Sequence, residues 1–222
     1  MAIYKNTPPI VTSGLVTHLD AGSRLSYVTA STVWNDLSGN RNSGSLVNGP
    51  AFSSNNQGLI VTDGTNDYIS TTIPTIGSTY SISFWVRPLT LPAGAGSEIQ
   101  LFGSPGDTAS VSLYAAVSNT YKFISWNGST ARTGGTTLAI NNWYNFVVVN
   151  SSNTVFYLNG VLDGTFANTG TLSSGAATFA SINGSSRFLN ANLACITFYN
   201  KALSAQEIAQ NYNALKSRFG LI

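Results

Sequence analysis

The densest group of ligand-type side chains lies in one loop, WNDLSGNRNSG, from Trp34 to Gly44. Asp36, Asn40 and Asn42 recur along it, and carboxylate and amide oxygens are the ligands that calcium prefers. The loop holds a single carboxylate, however, and one local carboxylate rarely makes a tight calcium site. Asp36 and Asn40 can instead accept hydrogen bonds from nearby backbone amides, as Asx turns do. We predict a turn held by Asp36 and Asn40, and the alternative is a calcium site formed by Asp36, Asn40 and Asn42.

Two further aspartates would add charge to that calcium site if the fold brought their loop close. They are Asp63 and Asp67 in the motif DGTND. Apart from calcium at this alternative site, the sequence implies no cofactor.

The acidic residues do not form a catalytic pattern. A retaining glycosidase needs two carboxyl groups about 5–5.5 Å apart, and no predicted strand carries carboxylates two residues apart. The two glutamates, Glu98 and Glu207, are distant in the sequence. His18 and Asp20 share one strand face in THLD, but one His–Asp pair is weak support for a catalytic triad. The sequence therefore predicts that the chain is not an enzyme.

The chain has one cysteine, Cys195, and one histidine, His18. These counts exclude an internal disulfide and the usual Cys/His zinc sets. Cys195 alternates away from Ile196 and Phe198 in the last predicted strand. We predict a small, half-buried residue there, and a reactive thiol is the less favoured alternative.

Two tryptophans could stack on sugar rings. Trp85 lies on the strand face opposite to Phe84, and Trp126 begins the motif WNGS. We favour the other interpretation, that each ring covers the second face of a sheet or lies under a loop, because aromatic residues make up 11% of the chain and many of them are needed for the core. The other two, Trp34 and Trp143, are predicted to lie in the core.

The composition excludes several classes of partner. Charged residues make up 8% of the 222 residues, against about 25% in ordinary soluble domains. The net charge is +2 and the charges do not cluster, so nothing indicates nucleic-acid binding. No apolar run approaches the roughly 20 residues of a membrane helix. The first residues do not resemble a signal peptide, so we expect a protein made in a cytoplasm.

Most of the chain alternates apolar and polar residues, which indicates β-strands. In YSISFWVRP, residues Ile82, Phe84 and Val86 are predicted to point one way and Trp85 the other. Asn159-Gly160 joins two such runs and predicts a tight hairpin. Short strands separated by Gly, Asn and Ser turns are typical of an all-β, antiparallel two-sheet sandwich. The sequons at Asn127 and Asn183 are interpreted as turns.

One α-helix is predicted at the C-terminal end, over residues 204–217. Ser204 and Glu207 have the spacing of a capping box. Ile208, Tyr212 and Leu215 then fall on one stripe, which should pack on the sandwich.

Seven motifs in a fixed order resemble the laminin-G-like jelly rolls of the concanavalin A-like lectin/glucanase superfamily. They are GLVTHLDAG, WNDLSGNRNSGSLVNGPAF, VTDGTNDYIS, SISFWVRP, NNWYNFVVV, FYLNGVL and LACITFYNKALSAQEIAQNYNALKSRF. The resemblance implies a two-sheet jelly roll with a non-catalytic binding or structural role. The opening and closing motifs are most similar to the versions found in structural proteins of tailed bacteriophages.

That resemblance implies a virion subunit, such as a capsid decoration or cement protein. Its expected partners are other virion proteins, above all the major capsid protein, and further copies of itself. The alternative is an adhesion module that binds glycans on the host surface. Both expectations place the protein in the virion, with no nucleic-acid or membrane partner.

An extended N-terminal arm, residues 1–13, precedes the jelly roll predicted for residues 14–222. Pro8 and Pro9 restrict the arm to extended conformations. We predict that Tyr4, Pro8 and Pro9 contact a neighbouring subunit. The alternative is that the arm docks on its own domain.

Overall fold

The computed structural model describes residues 9–74, 76–104, 109–116, 120–167 and 170–222. Within these ranges the chain forms two antiparallel sheets that pack face to face, and one α-helix. The antiparallel sandwich predicted from the sequence is therefore confirmed. In the same ranges, no helix has the length and apolar character needed to cross a membrane.

The strands follow one another in this order: β1 (Leu15–Asp20), β2 (Val33–Trp34), β3 (Gly44–Val47), β4 (Ala51–Ser53), β5 (Leu59–Asp63), β6 (Tyr68–Ile73), β7 (Tyr80–Pro88), β8 (Glu98–Gly103), β9 (Ser110–Ala115), β10 (Tyr121–Trp126), β11 (Ala131–Thr133), β12 (Tyr144–Asn150), β13 (Thr154–Leu158), β14 (Val161–Phe166), β15 (Gly175–Phe179) and β16 (Asn190–Tyr199). Sheet A has the order β14-β13-β12-β7-β16-β5-β4, and β1 also pairs with β16. Sheet B has the order β11-β10-β9-β8-β15-β6-β3-β2.

Alternation along each strand builds the core between the sheets. In β7, Ile82, Phe84 and Val86 face sheet B and join the main apolar cluster, as predicted. Phe84 contacts Phe102 of sheet B, and their ring centroids lie 6.4 Å apart. Trp34 and Trp143 are buried, which agrees with their predicted place in the core.

Tight turns join the strands where Asn and Gly predicted them. Asn159 and Gly160 both have positive φ, as the two central residues of a type I′ hairpin require. Asn127 Oδ1 accepts hydrogen bonds from the amides of Ser129 and Thr130. Asn183 also has positive φ and occupies a tight turn.

Helix α1 spans Ala205–Leu215 and lies against the outer face of sheet A. Ser204 Oγ accepts a hydrogen bond from the Glu207 amide, and the Glu207 carboxylate accepts one from the Ser204 amide. The predicted capping box is therefore present. A 3-10 segment, Lys216–Phe219, follows and carries Phe219 onto the same face.

The described residues before β1 pack on this helix and on β16. Val11 is buried, and its amide donates to Asn211 Oδ1 at 2.7 Å. Its carbonyl accepts from the Tyr199 hydroxyl at 3.0 Å. Pro9 is exposed, and its carbonyl accepts from Gln210 Nε2 at 2.7 Å.

Candidate functional site

A cleft of about 310 Å³ lies on the outer face of sheet B and is lined by Glu98, Ser110, Trp126 and Arg187. The alternation of each strand sets this face. Phe123 of β10 points into the core, so Trp126, three residues later, points outward. Trp126 is partly exposed, and within the described residues no other aromatic ring contacts it. Trp126 is therefore a candidate for stacking on a ligand.

The opposite wall is an ion pair. Arg187 Nη1 lies 2.7 Å from Glu98 Oε2, with the two side chains 45% and 23% exposed. Arg187 has a φ of 53°, a left-handed conformation that is uncommon for a residue with a side chain. The preceding turn, at Asn183 and Gly184, and a hydrogen bond from the Gln100 amide to the Arg187 carbonyl hold that backbone. The ion pair with Glu98 places the guanidinium beside the cleft.

The cleft is elongated along the strands. Glu98 pairs with Tyr114, whereas Trp126 pairs with Ser110 at the other end of β9. Four residues at about 3.3 Å each separate these two pairs by roughly 13 Å.

Two larger clefts, of about 440 and 540 Å³, lie beside Tyr27 and Phe52. Their aromatic walls are already used, because these rings stack on each other with centroids 5.1 Å apart. The Tyr27 hydroxyl also donates to the Ser31 carbonyl. The cleft at Trp126 is therefore the stronger candidate for a stacking ligand.

Trp85 does not offer a platform, so the hypothesis that it stacks on a sugar is wrong, and the ring covers the second face of sheet A as the favoured interpretation predicts. Its side chain is 2% exposed. The ring stacks with Tyr212 at 5.7 Å and with Phe219 at 4.3 Å between centroids. The C-terminal segment covers the face of sheet A to which Trp85 points, so no ligand reaches the ring.

The loop from Trp34 to Gly44 forms the turn that its sequence predicts. The Asp36 carboxylate accepts hydrogen bonds from the amides of His18, Ser38 and Asn42 and from the Ser38 hydroxyl, at 2.7–3.0 Å. Asn40 donates through Nδ2 to the Ser38 hydroxyl and to the carbonyls of β1. Asn42 Nδ2 donates to the Val16 carbonyl at 2.7 Å. All three side chains therefore fasten the loop to β1, and calcium binding there stays a prediction.

Asp63 and Asp67 serve their own loop. Asp63 Oδ1 accepts from the Thr65 amide at 2.8 Å, and Asp67 Oδ2 accepts from the Asp63 amide at 3.1 Å. The Thr65 amide is also the main reason that the pKa of Asp63 is lowered. This loop contacts Asn48, at the opposite end of β3 from the Trp34–Gly44 loop. The aspartates therefore add no ligand to the proposed calcium site.

His18, Asp20 and Cys195 come together on the outer face of sheet A. Asp20 pairs with Cys195 across β1 and β16, and the ligand atoms of the three residues lie within 4.8 Å of one another. Cys195 is fully buried rather than half-buried, because the C-terminal segment also covers it. Burial raises the pKa of the Cys195 thiol well above its usual range and lowers the pKa of His18. An unliganded Cys195 is therefore a protonated thiol.

The expected partner-contact residues lie mostly outside the described ranges. Tyr4 and Pro8 fall there, and the described Pro9 bonds to the chain's own helix. Contact of this segment with a neighbour stays a prediction.

The sequence named Trp126 as a candidate, but it did not indicate Glu98 and Arg187, which line the same cleft. These two residues lie 89 positions apart, and only the pairing of β8 with β15 and the loop after β15 brings them together. The Asn183-Gly184 turn was the one local signal of an ordered loop at this place.

A family profile described as the concanavalin A-like lectin/glucanases superfamily matches residues 63–209. The chain belongs to this family. A comparison with curated protein sequences finds no match.

Solved structures share the fold at low sequence identity. Domain 4 of AbnA, an extracellular arabinanase from Geobacillus stearothermophilus solved with arabinotriose, is 17% identical. The match covers 90% of this chain and 98% of that domain, with a TM-score of 0.67. A botulinum neurotoxin type C structure, whose cell entry depends on two ganglioside molecules, is 19% identical with a TM-score of 0.68.

The neurotoxin match covers 92% of this chain and 52% of that structure. The binding domain of Paraclostridial Mosquitocidal Protein 1 is 17% identical, with a TM-score of 0.68, over 90% of this chain and 52% of that domain. The chain therefore spans about half the length of these toxin structures. At such identities the likeness concerns the fold alone.

Proposed function

We propose that the chain is a non-enzymatic glycan-binding module, and that its site is the cleft of Glu98, Ser110, Trp126 and Arg187. The partly exposed ring of Trp126 on a polar, ready-made cleft carries the proposal. Similar folds occur in the arabinanase domain solved with arabinotriose and in the neurotoxin that depends on gangliosides. Those ligands belong to those proteins, and they support the class of ligand proposed here.

The chemistry of the cleft suits a sugar. A sugar ring can place its C–H face on the indole, as apolar groups pack on aromatic rings. Its hydroxyl groups can donate to Glu98 and accept from Arg187, and bonds to charged groups are stronger than neutral ones. Both charged groups already lie at the cleft, where the ion pair joins them.

The same cleft supports the non-enzymatic part of the proposal. Among the residues described, Glu98 is its only carboxylate, and it is bound to a guanidinium. Glycoside hydrolysis requires a second carboxyl group across the scissile bond. Glu207, the other glutamate, caps helix α1 on the opposite sheet.

The test is a glycan array followed by calorimetry on the best ligand. We expect Trp126→Ala to weaken binding by at least roughly tenfold, which is about 1.4 kcal/mol. Leu162→Ala is the matched control, since Leu162 is an exposed apolar residue on sheet A. It should leave the affinity unchanged. If Trp126→Ala binds the ligand as tightly as the wild type does, the proposed site is wrong. If a broad array yields no ligand at all, the proposed function is wrong.

A second candidate function is a subunit of a tailed-bacteriophage virion, such as a capsid decoration protein. Its support is the low charge content and an apolar hairpin tip at the edge of sheet A. Val161 and Leu162 are 68% and 58% exposed there, and exposed apolar groups of this kind favour protein contacts. Copurification with virions and with the major capsid protein is the test. The two functions are compatible on one particle.

A further inference from the structure

Three side chains of different ligand chemistry meet on the outer face of sheet A: an imidazole, a carboxylate and a thiol. Their ligand atoms, on His18, Asp20 and Cys195, all lie within 4.8 Å of one another. Zinc bonds of about 2.0–2.3 Å in a tetrahedron place ligand atoms roughly 3–4 Å apart. The ligand atoms therefore need to approach one another by about 1–2 Å at most to hold an ion.

Each of the three groups has a ligand atom to offer. The His18 backbone bonds to Asp36 and Leu37, but within the described residues neither imidazole nitrogen has a hydrogen-bond partner. Asp20 Oδ1 accepts from Arg218 and from the Gly22 amide, while no donor in the described ranges reaches Oδ2. The Cys195 sulfur likewise has no hydrogen bond in that part of the chain.

Arg218 would orient the Asp20 carboxylate in such a site. Its guanidinium lies 2.6 Å from Asp20 Oδ1 and is 5% exposed. It also donates to the carbonyls of Asn56 and Gly58, which fix its position. A carboxylate held through one oxygen and free at the other matches the way outer-shell groups orient metal ligands.

We propose that His18, Asp20 and Cys195 form a site for a thiophilic divalent ion, zinc above all, with water as the fourth ligand. Nitrogen, oxygen and sulfur ligands together suit zinc and exclude calcium and magnesium, which prefer oxygen alone. On binding, the Cys195 thiol releases its proton to solvent and coordinates as the thiolate. The ion would link β1 to β16 beneath the C-terminal segment.

The test uses cobalt as a spectroscopic substitute for zinc, on the full chain first dialysed against a chelator. We expect one equivalent of cobalt to give a thiolate-to-cobalt charge-transfer band, and we expect zinc to abolish it. His18→Ala and Cys195→Ser should each lose the band or weaken cobalt binding by at least roughly tenfold. Zinc should raise the melting temperature of the wild type alone, because it binds only the folded chain.

Glu98→Gln is the matched control, since it removes a carboxylate from the cleft on sheet B and should keep the band. Circular dichroism checks that each variant is folded. If Cys195→Ser, at a buried position, does not fold, then His18→Ala, at a partly exposed position, provides the same comparison. A folded wild type without the band, or an unchanged band in His18→Ala, would overturn the proposal.

Discussion

At the scale of single residues, Asp36 is the side chain on which the most hydrogen bonds of one loop converge. Its carboxylate accepts four, from His18, Ser38 and Asn42. We predict that Asp36→Ala lowers the free energy of unfolding by about 2–4 kcal/mol, because three backbone amides lose their acceptor. Urea denaturation measures this change. Asp163→Ala, whose carboxylate serves an exposed loop, is the control and should cost less.

The same variant decides between the turn and calcium. If the turn alone is present, calcium does not change the melting temperature of the chelator-treated wild type. A rise with calcium but not with zinc, absent in Asp36→Ala, would establish the calcium site instead. The response to calcium reports on this loop, and the response to zinc reports on the cluster at Cys195.

Alternation along a strand tells which residues share a face but not what covers that face. Trp85 and Cys195 were both assigned to the face opposite the core, and both lie there. Their burial could not be predicted from the strand pattern, because the residues that cover them, Tyr212 and Phe219, lie in the C-terminal segment. Trp126 lies on the corresponding face of sheet B and is still partly exposed.

At the scale of elements, helix α1 was the most predictable, because its signals are local. Ser204, Glu207 and the apolar stripe are all within one short segment. Strand β15 is the opposite case. Its sequence, GAATF, lacks a strong strand preference, and it is fixed by pairing with β6 and β8 on both sides.

The capping box gives a direct test of that local signal. We predict that Ser204→Ala lowers the free energy of unfolding by about 1 kcal/mol, because the Glu207 amide loses its acceptor. Ser217→Ala, in the following 3-10 segment, is the control and should have little effect. Equal losses in the two variants would show that the helix does not depend on its cap.

Tyr199 joins three elements: the segment before β1, strand β16 and helix α1. Its hydroxyl donates to the Val11 carbonyl and accepts from Asn211 Nδ2, both at 3.0 Å. Burial raises the pKa of Tyr199 to about 12, from an ordinary value of 10.0. Because the pKa is raised, its contribution to stability is complete below pH 10 and is lost as the pH rises toward 12.

We therefore predict that the wild type loses more stability than Tyr199→Phe between pH 10 and pH 12. The difference should be about 2–3 kcal/mol, at 1.36 kcal/mol for each unit of pKa. Tyr80, whose pKa is also raised by burial to about 12, contributes to the loss in both proteins and cancels from the comparison. Urea denaturation across this pH range measures the difference. Parallel losses in the two proteins would contradict the assignment.

At the scale of the whole molecule, low charge and exposed apolar tips bear on assembly. Charged residues are 8% of the chain and the net charge is +2, so neighbouring copies repel one another weakly. Such a surface permits close packing on a particle but does not by itself provide an attachment. In the proposed virion role, attachment requires specific contacts, and the N-terminal arm is the proposed source.

The structure shows where the N-terminal arm can be cut without removing contacts of the domain. Residues 9–12 belong to the domain, because Val11 is buried and bonds to Asn211 and Tyr199. Removing residues 1–12 would therefore reduce stability and attachment together. Removing residues 1–8 spares those contacts, so we predict an unchanged melting temperature and a loss of association with the virion. Sedimentation with particles measures the association, and the 1–12 deletion serves as the destabilised control. If the chain without residues 1–8 still sediments fully, the arm is not the anchor, and attachment through the Val161–Leu162 tip becomes the next variant to test.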